Sequence, residues 1–363
     1  MRILEKLKIK NFKSIRDQEL ALGPLNVFIG GNGSGKSNLI EIFQFLREIV
    51  NQNLSGYTIK KGGADSLLYF GRKTSKEMEF FLEFGEGNKS NAYEVSLEST
   101  DDNGLFISHE TAYYHEKNRY RKPYDRTVSA GSKESKLKQE THKSARQVVR
   151  DMDSYRVYHF HDTSDTAAIK GICDVEDNRF LRPQGENLGA FLFWMKEKMS
   201  DHFATIQDSV RQIAPFFGEF TLSPSKLNTE KIRLEWKERG SDTYFNAYSL
   251  SDGTLRFICL ATLLLQPQLP AVVLVDEPEL GLHPAAVTLV ADLLSSAANR
   301  TQVIVATQSV TLINQFEPDH VWTVDREDNQ SVFRHLSRAD MTEWLDDYAL
   351  GELWEKNVLG ARP

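Results

Sequence analysis

The stretch "GGNGSGKS", residues 30–37, constrains this chain more than any other. It fits G-x-x-x-x-G-K-[ST] through Gly30, Gly35, Lys36 and Ser37. An apolar run, "LNVFIG", precedes it, and "SGKSNLIEIFQFLREIV" follows with Leu39, Ile42, Phe43 and Leu46 at helical spacing. The pattern requires that strand–loop–helix setting. Glycines let the backbone curl so that successive N–H groups point inward, and the helix N-terminus adds partial positive charge. Lys36 is placed to reach β- and γ-phosphates, and Ser37 to offer a hydroxyl to Mg²⁺. Gly33 and Ser34 lie within the loop, while Asn32 and Asn38 are further polar contacts.

A second short segment complements the first. "VVLVDEPELGLHP" is a buried strand that ends on Asp276 and Glu277. Ligands of parallel sheets bind at the C-terminal edge of the strands. Asp276 there would hold Mg²⁺ through a water, and Glu277 would orient and deprotonate an attacking water. Around these segments the chain alternates buried strands with helices: "AVVLVDE", "PAAVTLVADLLSSAA", "QVIVATQS", "HVWTVDR". That alternation indicates a parallel sheet with helices on its faces. "LGAFLFWMKEKMSDHFATIQDSVRQIAPFF" reads as one long amphipathic helix that stops near Pro215.

Composition narrows the function classes. With 363 residues and a net charge of −7, the whole molecule is no polyanion binder, so any nucleic-acid surface must be a local patch. Two cysteines, Cys173 and Cys259, give no disulfide framework and fit a reducing compartment. The longest apolar run, near "FICLATLLLQ", is too short for a membrane span. A cytoplasmic protein without a membrane partner is the expectation. Between about residues 55 and 165 the texture changes to antiparallel strands such as "MEFFLEF" and "AYEVSLES". Residues 117–150 then hold 11 Lys or Arg against three acids. A solvated loop and a phosphate-backbone contact, the latter helped by Tyr120 and Tyr124, both fit that run.

About 240 residues separate Lys36 from Asp276. Just ahead of the acidic strand stands "YSLSDGTLRF", and "LSDGT" resembles the signature motif of ABC-type ATPases. Ser251 and Gly253 match that motif, while Asp252 occupies the place of a second glycine. The resemblance implies that Ser251, Asp252 and Gly253 close on the γ-phosphate of an ATP held by a second subunit. It also implies that Glu279 to His283 lie near a dimer interface, although His283 before Pro284 suits a helix cap equally well. The switch position at the end of "VIVATQS" carries Gln308 where histidine is common. Glutamine can hydrogen-bond the γ-phosphate or the water but cannot become cationic, so slow or partner-triggered hydrolysis is expected. No clear Q-loop glutamine stands out; Gln184 and the "HFHDTS" segment (His159, His161, Asp162) are candidates. The two histidines and the aspartate fit a hydrogen-bonded turn better than a metal site.

"NFKS" before the phosphate loop, together with "LRPQGENLGAFL", "SDGTLRF", "DEPELGLHP" and "YALGELWEKNVLG", resembles the RecF, SMC and OLD-like branch, in particular its small stand-alone ATPases. The resemblance implies an α/β P-loop NTPase of the ABC-ATPase head type. A mixed sheet is flanked by helices, with a β-rich lobe and a basic insertion. The expected layout is one discontinuous domain over 1–363. Its nucleotide core takes 1–60 and 165–363, and its lobe takes 61–164, with the insertion at about 117–150. No heptad arm follows the lobe, which argues against an SMC protein proper. Too few residues follow "ATQS" for the nuclease domain of the OLD proteins. The implied function is Mg²⁺-dependent ATP hydrolysis by an ATP-gated homodimer in a DNA-related process such as repair or anti-phage defence, with a separate effector or nuclease partner. An ATPase subunit energising a transporter is the alternative. A kinase or GTPase is disfavoured by "LSDGT" and by the lack of an N-K-x-D guanine reader.

Overall fold

The alternation that opens the chain builds one face of an antiparallel sheet. In the computed structural model, which describes residues 2–345 and 347–361, strand β1 (Ile3–Phe12) buries Leu4, Leu7, Ile9 and Phe12. A register shift between Leu4 and Lys6 re-phases the alternation. β1 pairs with β2 (Ile15–Ala21) and with β4 (Glu77–Glu86). The sheet continues through β5 (Lys89–Ser99), β6 (Leu105–Glu116) and β7 (Tyr124–Ser132) in the order β2-β1-β4-β5-β6-β7. The lobe sheet therefore includes two strands from the N-terminal side of the phosphate loop.

A second sheet is mostly parallel, as the alternation requires. β3 (Leu25–Ile29) is buried at every position and pairs in parallel with β9 (Gln302–Thr307) and β10 (Val321–Glu327). β11 (Gln330–His335) adds antiparallel to β10. β8 (Val272–Asp276) lies next to β9, so the order is β11-β10-β3-β9-β8, with the strand Tyr155–Tyr158 as the sixth beyond β8. Continuous apolar runs such as "VIVAT" are what strands covered on both faces need. Helix α1 (Lys36–Val50) buries Leu39, Ile42, Phe43 and Leu46, the face read from the sequence.

The chain divides into two compact units. The first comprises Met1–Tyr155, Pro270–Leu274 and Thr301–Pro363, and the second comprises Arg156–Leu269 and Val275–Arg300. In the first unit the basic run is loop only in part, at residues 117–123 and over much of 133–142. β7 zips onto β6, and α2 (Lys143–Asp153) follows. Glu110 anchors this addition. Its carboxylate is fully buried and accepts from the Tyr93 hydroxyl at 2.8 Å, the Ser129 hydroxyl at 2.8 Å, the Ser135 hydroxyl and the Lys136 backbone N–H at 3.1 Å. Four donors are what a buried carboxylate without a cation needs.

In the second unit the expected long helix is two, α3 (Leu188–Lys198) and α4 (Ser200–Ile213). Met199 leaves helical geometry at φ −139° and Asp201 supplies an acid to the first turn of α4. α4 packs on α5 (Asp252–Leu265), and α5 packs on α6 (Pro284–Ala298). No described helix is long and apolar enough to cross a membrane.

Candidate active site

Strand register decides what stands beside the phosphate loop. Thr307 pairs with Ile29, so Gln308 leaves the sheet at the same edge as Gly30. From there the loop 30–35 curls into α1. Lys36 is 5% exposed and its Nζ donates to the carbonyls of Gly30 at 2.5 Å and Gly31 at 3.0 Å, folding over the loop. Asn32, Gly33 and Ser37 are exposed, and Asn38 is half-buried.

Ser34 is buried, and its hydroxyl makes no hydrogen bond to the described residues. It sits inside the curl, 2.9 Å from where a Cβ would stand on Gly30. An unsatisfied buried hydroxyl costs about 1–3 kcal/mol, and a phosphate oxygen would satisfy it. With a buried lysine and a helix N-terminus beside it, the loop fits a polyphosphate, and the exposed Ser37 fits the hydroxyl ligand of Mg²⁺.

A brace holds this loop from behind. Ser331 on β11 donates to the Ser34 carbonyl at 2.5 Å and shares a 2.6 Å hydrogen bond with Ser14, which accepts from the Asn38 amide at 2.7 Å. Gly35, at φ +117°, has no room for a side chain, since a Cβ would meet Ser331 Oγ at 2.1 Å. Asn38 thus spends its amide on the brace. Ser14 lies in "NFKS", which marks the branch but not this contact. Ser331 carried no sequence signal.

The acidic strand end belongs to the second unit. Asp276 and Glu277 are half-buried, and Glu277 adopts φ +43°, the left-handed region that a glutamate resists. His161 donates from Nε2 to the Asp276 carbonyl at 2.8 Å, so the "HFHDTS" segment straps the end of β8. Asp162 accepts from the backbone N–H and hydroxyl of Ser164, which hold its carboxyl below the usual range. This is the turn expected from the sequence. Burial, with His161 adding to it, lowers the pKa of His159. No group of His, Cys, Asp and Glu among the described residues is arranged to hold a metal by itself. Gln184 donates its backbone N–H to Glu186 at 3.0 Å.

The signature-like loop opens α5. Ser251 caps the helix, accepting from the Thr254 N–H at 3.2 Å, while Ser251 and Asp252 remain exposed. Gly253 lies against the turn after the acidic strand; a Cβ there would stand 2.3 Å from the Gly281 carbonyl. One turn along, Arg256 donates to the carbonyls of Phe160 (3.2 Å), His161 (2.7 Å) and Leu280 (3.0 Å) and to the Thr163 hydroxyl (3.2 Å). A planar guanidinium suits such a junction, since its five donors spread in fixed directions. Arg256 therefore fixes the signature helix, the 160–163 strap and the turn at 280 as one piece. Its place in "SDGTLRF" gives no sign of that role. His283 caps α6 by accepting from the Ala285 N–H at 3.3 Å.

Known proteins resemble this chain in sequence and in fold. Residues 25–314 match the family described as "AAA domain, putative AbiEii toxin, Type IV TA system". The chain is 38% identical over 68 residues to the DNA replication and repair protein RecF of Renibacterium salmoninarum, covering 18% of this chain and 17% of that protein. It is 33% identical over 104 residues to Structural maintenance of chromosomes protein 1 of Schizosaccharomyces pombe, covering 28% of this chain and 8% of that protein. The chain thus spans only a small part of the length of these relatives. Among solved structures, the Smc head bound to the C-winged helix domain of ScpA aligns with a TM-score of 0.60 at 18% identity, covering 94% of this chain and 99% of that one. An Smc head with an extended coiled coil, bound to the C-terminal domain of ScpA derived from Pyrococcus furiosus, aligns at 0.54 and 18% identity, covering 96% and 99%. These likenesses concern the fold, and the fold is that of the expected ABC-ATPase head. The chain belongs to the AAA domain family matched over residues 25–314, and its fold is that of an ABC-type ATPase head.

Proposed function

We propose that this protein binds and hydrolyses ATP as an ATP-gated homodimer, in a DNA-related process that it serves together with a separate effector. The observation that carries the dimer is the exposure of Ser251 and Asp252 at the start of an otherwise buried helix, open to a second copy. In this reading Gly30, Asn32, Gly33, Ser34, Gly35, Lys36, Ser37 and Asn38 form the phosphate loop. Ser37 and Asp276 would hold Mg²⁺, which would supply positive charge against the phosphates. Glu277 orients the attacking water and accepts its proton, and Gln308 contributes a hydrogen bond at the rim. Ser251, Asp252 and Gly253 of the partner copy close the site over the γ-phosphate. Without a cationic switch residue the basal rate is slow, and the effector sets the pace. The DNA connection is supported by relatives named for DNA replication and repair, and by the exposed basic residues of α2. The matched family's toxin–antitoxin description favours a defence role over housekeeping repair.

Two variants test the core of this reading. Lys36→Ala abolishes ATP binding in calorimetric titration, and retained tight binding would remove the phosphate loop from the site. Glu277→Gln binds Mg·ATP but turns it over on the order of 100-fold more slowly, as removal of a general base does. It accumulates as a dimer on gel filtration, and a monomer at saturating ATP contradicts the shared site.

A further inference from the structure

Position 252 departs from the signature pattern by placing a carboxylate where glycine is usual. An aspartate at the mouth of a triphosphate site repels its ligand. The fold brings a counter-charge from a distant segment. Lys170 ends the short turn Ala168–Lys170, and only 6% of its side chain is exposed. Its Nζ lies 3.8 Å from Asp252 Oδ1, 4.0 Å from Asp165 Oδ1 and 5.8 Å from the centre of the Tyr248 ring. Lysine is rarely buried without an anionic partner. Asp252 and Asp165 are 59% and 96% exposed, so neither holds Lys170 in a closed pair. Both separations exceed hydrogen-bond range, so these are loose electrostatic contacts. Loose pairs with exposed carboxylates contribute little to stability. Their effect falls on the field that an approaching anion meets.

We infer that Lys170 is a working part of the signature loop: its positive charge offsets that of Asp252, so that the loop closes on the triphosphate of a second copy with less negative charge facing it. Lys170 is thus a positioning and charge-compensating residue, paired functionally with the aspartate that replaces glycine. The inference rests on the shared-site reading above.

The test uses the full chain in the Glu277→Gln background, with dimer fraction followed by sedimentation velocity across an ATP titration in Mg²⁺. Lys170→Met raises the ATP concentration for half-maximal dimer on the order of tenfold. ADP binding to the monomer, which depends on the phosphate loop alone, stays unchanged. Lys170→Arg stays near the parent. Adding Asp252→Gly to Lys170→Met restores the parent value to within about twofold. Asp252→Asn with Lys170 intact lowers the ATP requirement, and this arm leaves the buried lysine untouched should Lys170→Met fold poorly. A parent-like Lys170→Met, a double variant no better than Lys170→Met, or an Asp252→Asn variant that needs more ATP each overturns the inference while the dimer reading stands. A Glu277→Gln parent that never dimerises overturns the shared-site reading, and this inference falls with it.

Discussion

Glu277 stands in a backbone conformation that its side chain disfavours. At φ +43°, only glycine, and to a lesser degree Asn or Asp, is at ease. Such strain costs of order 1–3 kcal/mol and persists where the surroundings over-determine it. Here the His161 contact to the Asp276 carbonyl and the buried Pro278 fix the chain on both sides. Glu277→Gly and Glu277→Ala both lose the carboxylate, but only glycine relieves the backbone. Glu277→Gly is therefore expected to exceed Glu277→Ala in unfolding free energy by about 1 kcal/mol in urea denaturation. Equal stabilities would show that the conformation is unstrained. The sequence located Glu277 through its neighbours in "VVLVDE" but carried no sign of its backbone. For Lys170 it offered nothing, because a lysine in "AAIKG" shows no periodicity that links it to position 252.

At the scale of elements, the basic run shows what hydrophobic patterning misses. β7 reads as a loop because it is an edge strand with burial at only one position, Ser129. Its pairing with β6 is set by a buried polar node around Glu110, which apolar periodicity cannot report. α2 hides Ala145, Val148 and Met152 and exposes Lys143, Arg146 and Arg150 along one side. Lys117, in contrast, is occupied by Glu5 at 3.0 Å and Glu83 at 3.5 Å, and Arg126 by Glu140 at 3.2 Å. If DNA binds this unit, the α2 stripe carries more of the binding than the start of the run. Replacing Lys143, Arg146 and Arg150 by Gln is expected to lower the slope of log K against log salt by up to about 2.7, at roughly 0.9 for each phosphate no longer neutralised. Lys117→Gln should change it far less. Fluorescence anisotropy with a duplex at several salt concentrations distinguishes the two outcomes.

For the whole molecule, the parallel sheet and its loop edge were legible, since fully buried strands and a glycine turn leave few alternatives. The break at Met199 was not, because nothing in "KEKMSDHF" interrupts helical spacing. The lobe boundary was blurred because β1 and β2 precede the phosphate loop, yet β1 pairs with β4. As a ligand-binding fold, the chain gains stability by mass action. Mg·ATP at about 100 times its dissociation constant adds about 2.7 kcal/mol, which raises the calorimetric melting temperature on the order of 5 °C. Lys36→Ala should show no such shift; a shift that survives this substitution would place the nucleotide elsewhere.

The serine brace has a consequence for how the protein is made. Ser331 holds the Ser34 carbonyl across 297 positions of sequence. During synthesis the phosphate loop emerges early and waits, unbraced, until β11 has left the ribosome. Pairings of such separation form late. A nascent chain, or one cut short before β11, would thus display the nucleotide motif without this brace. The brace behind the Ser34 carbonyl is completed only after residue 331 has been made.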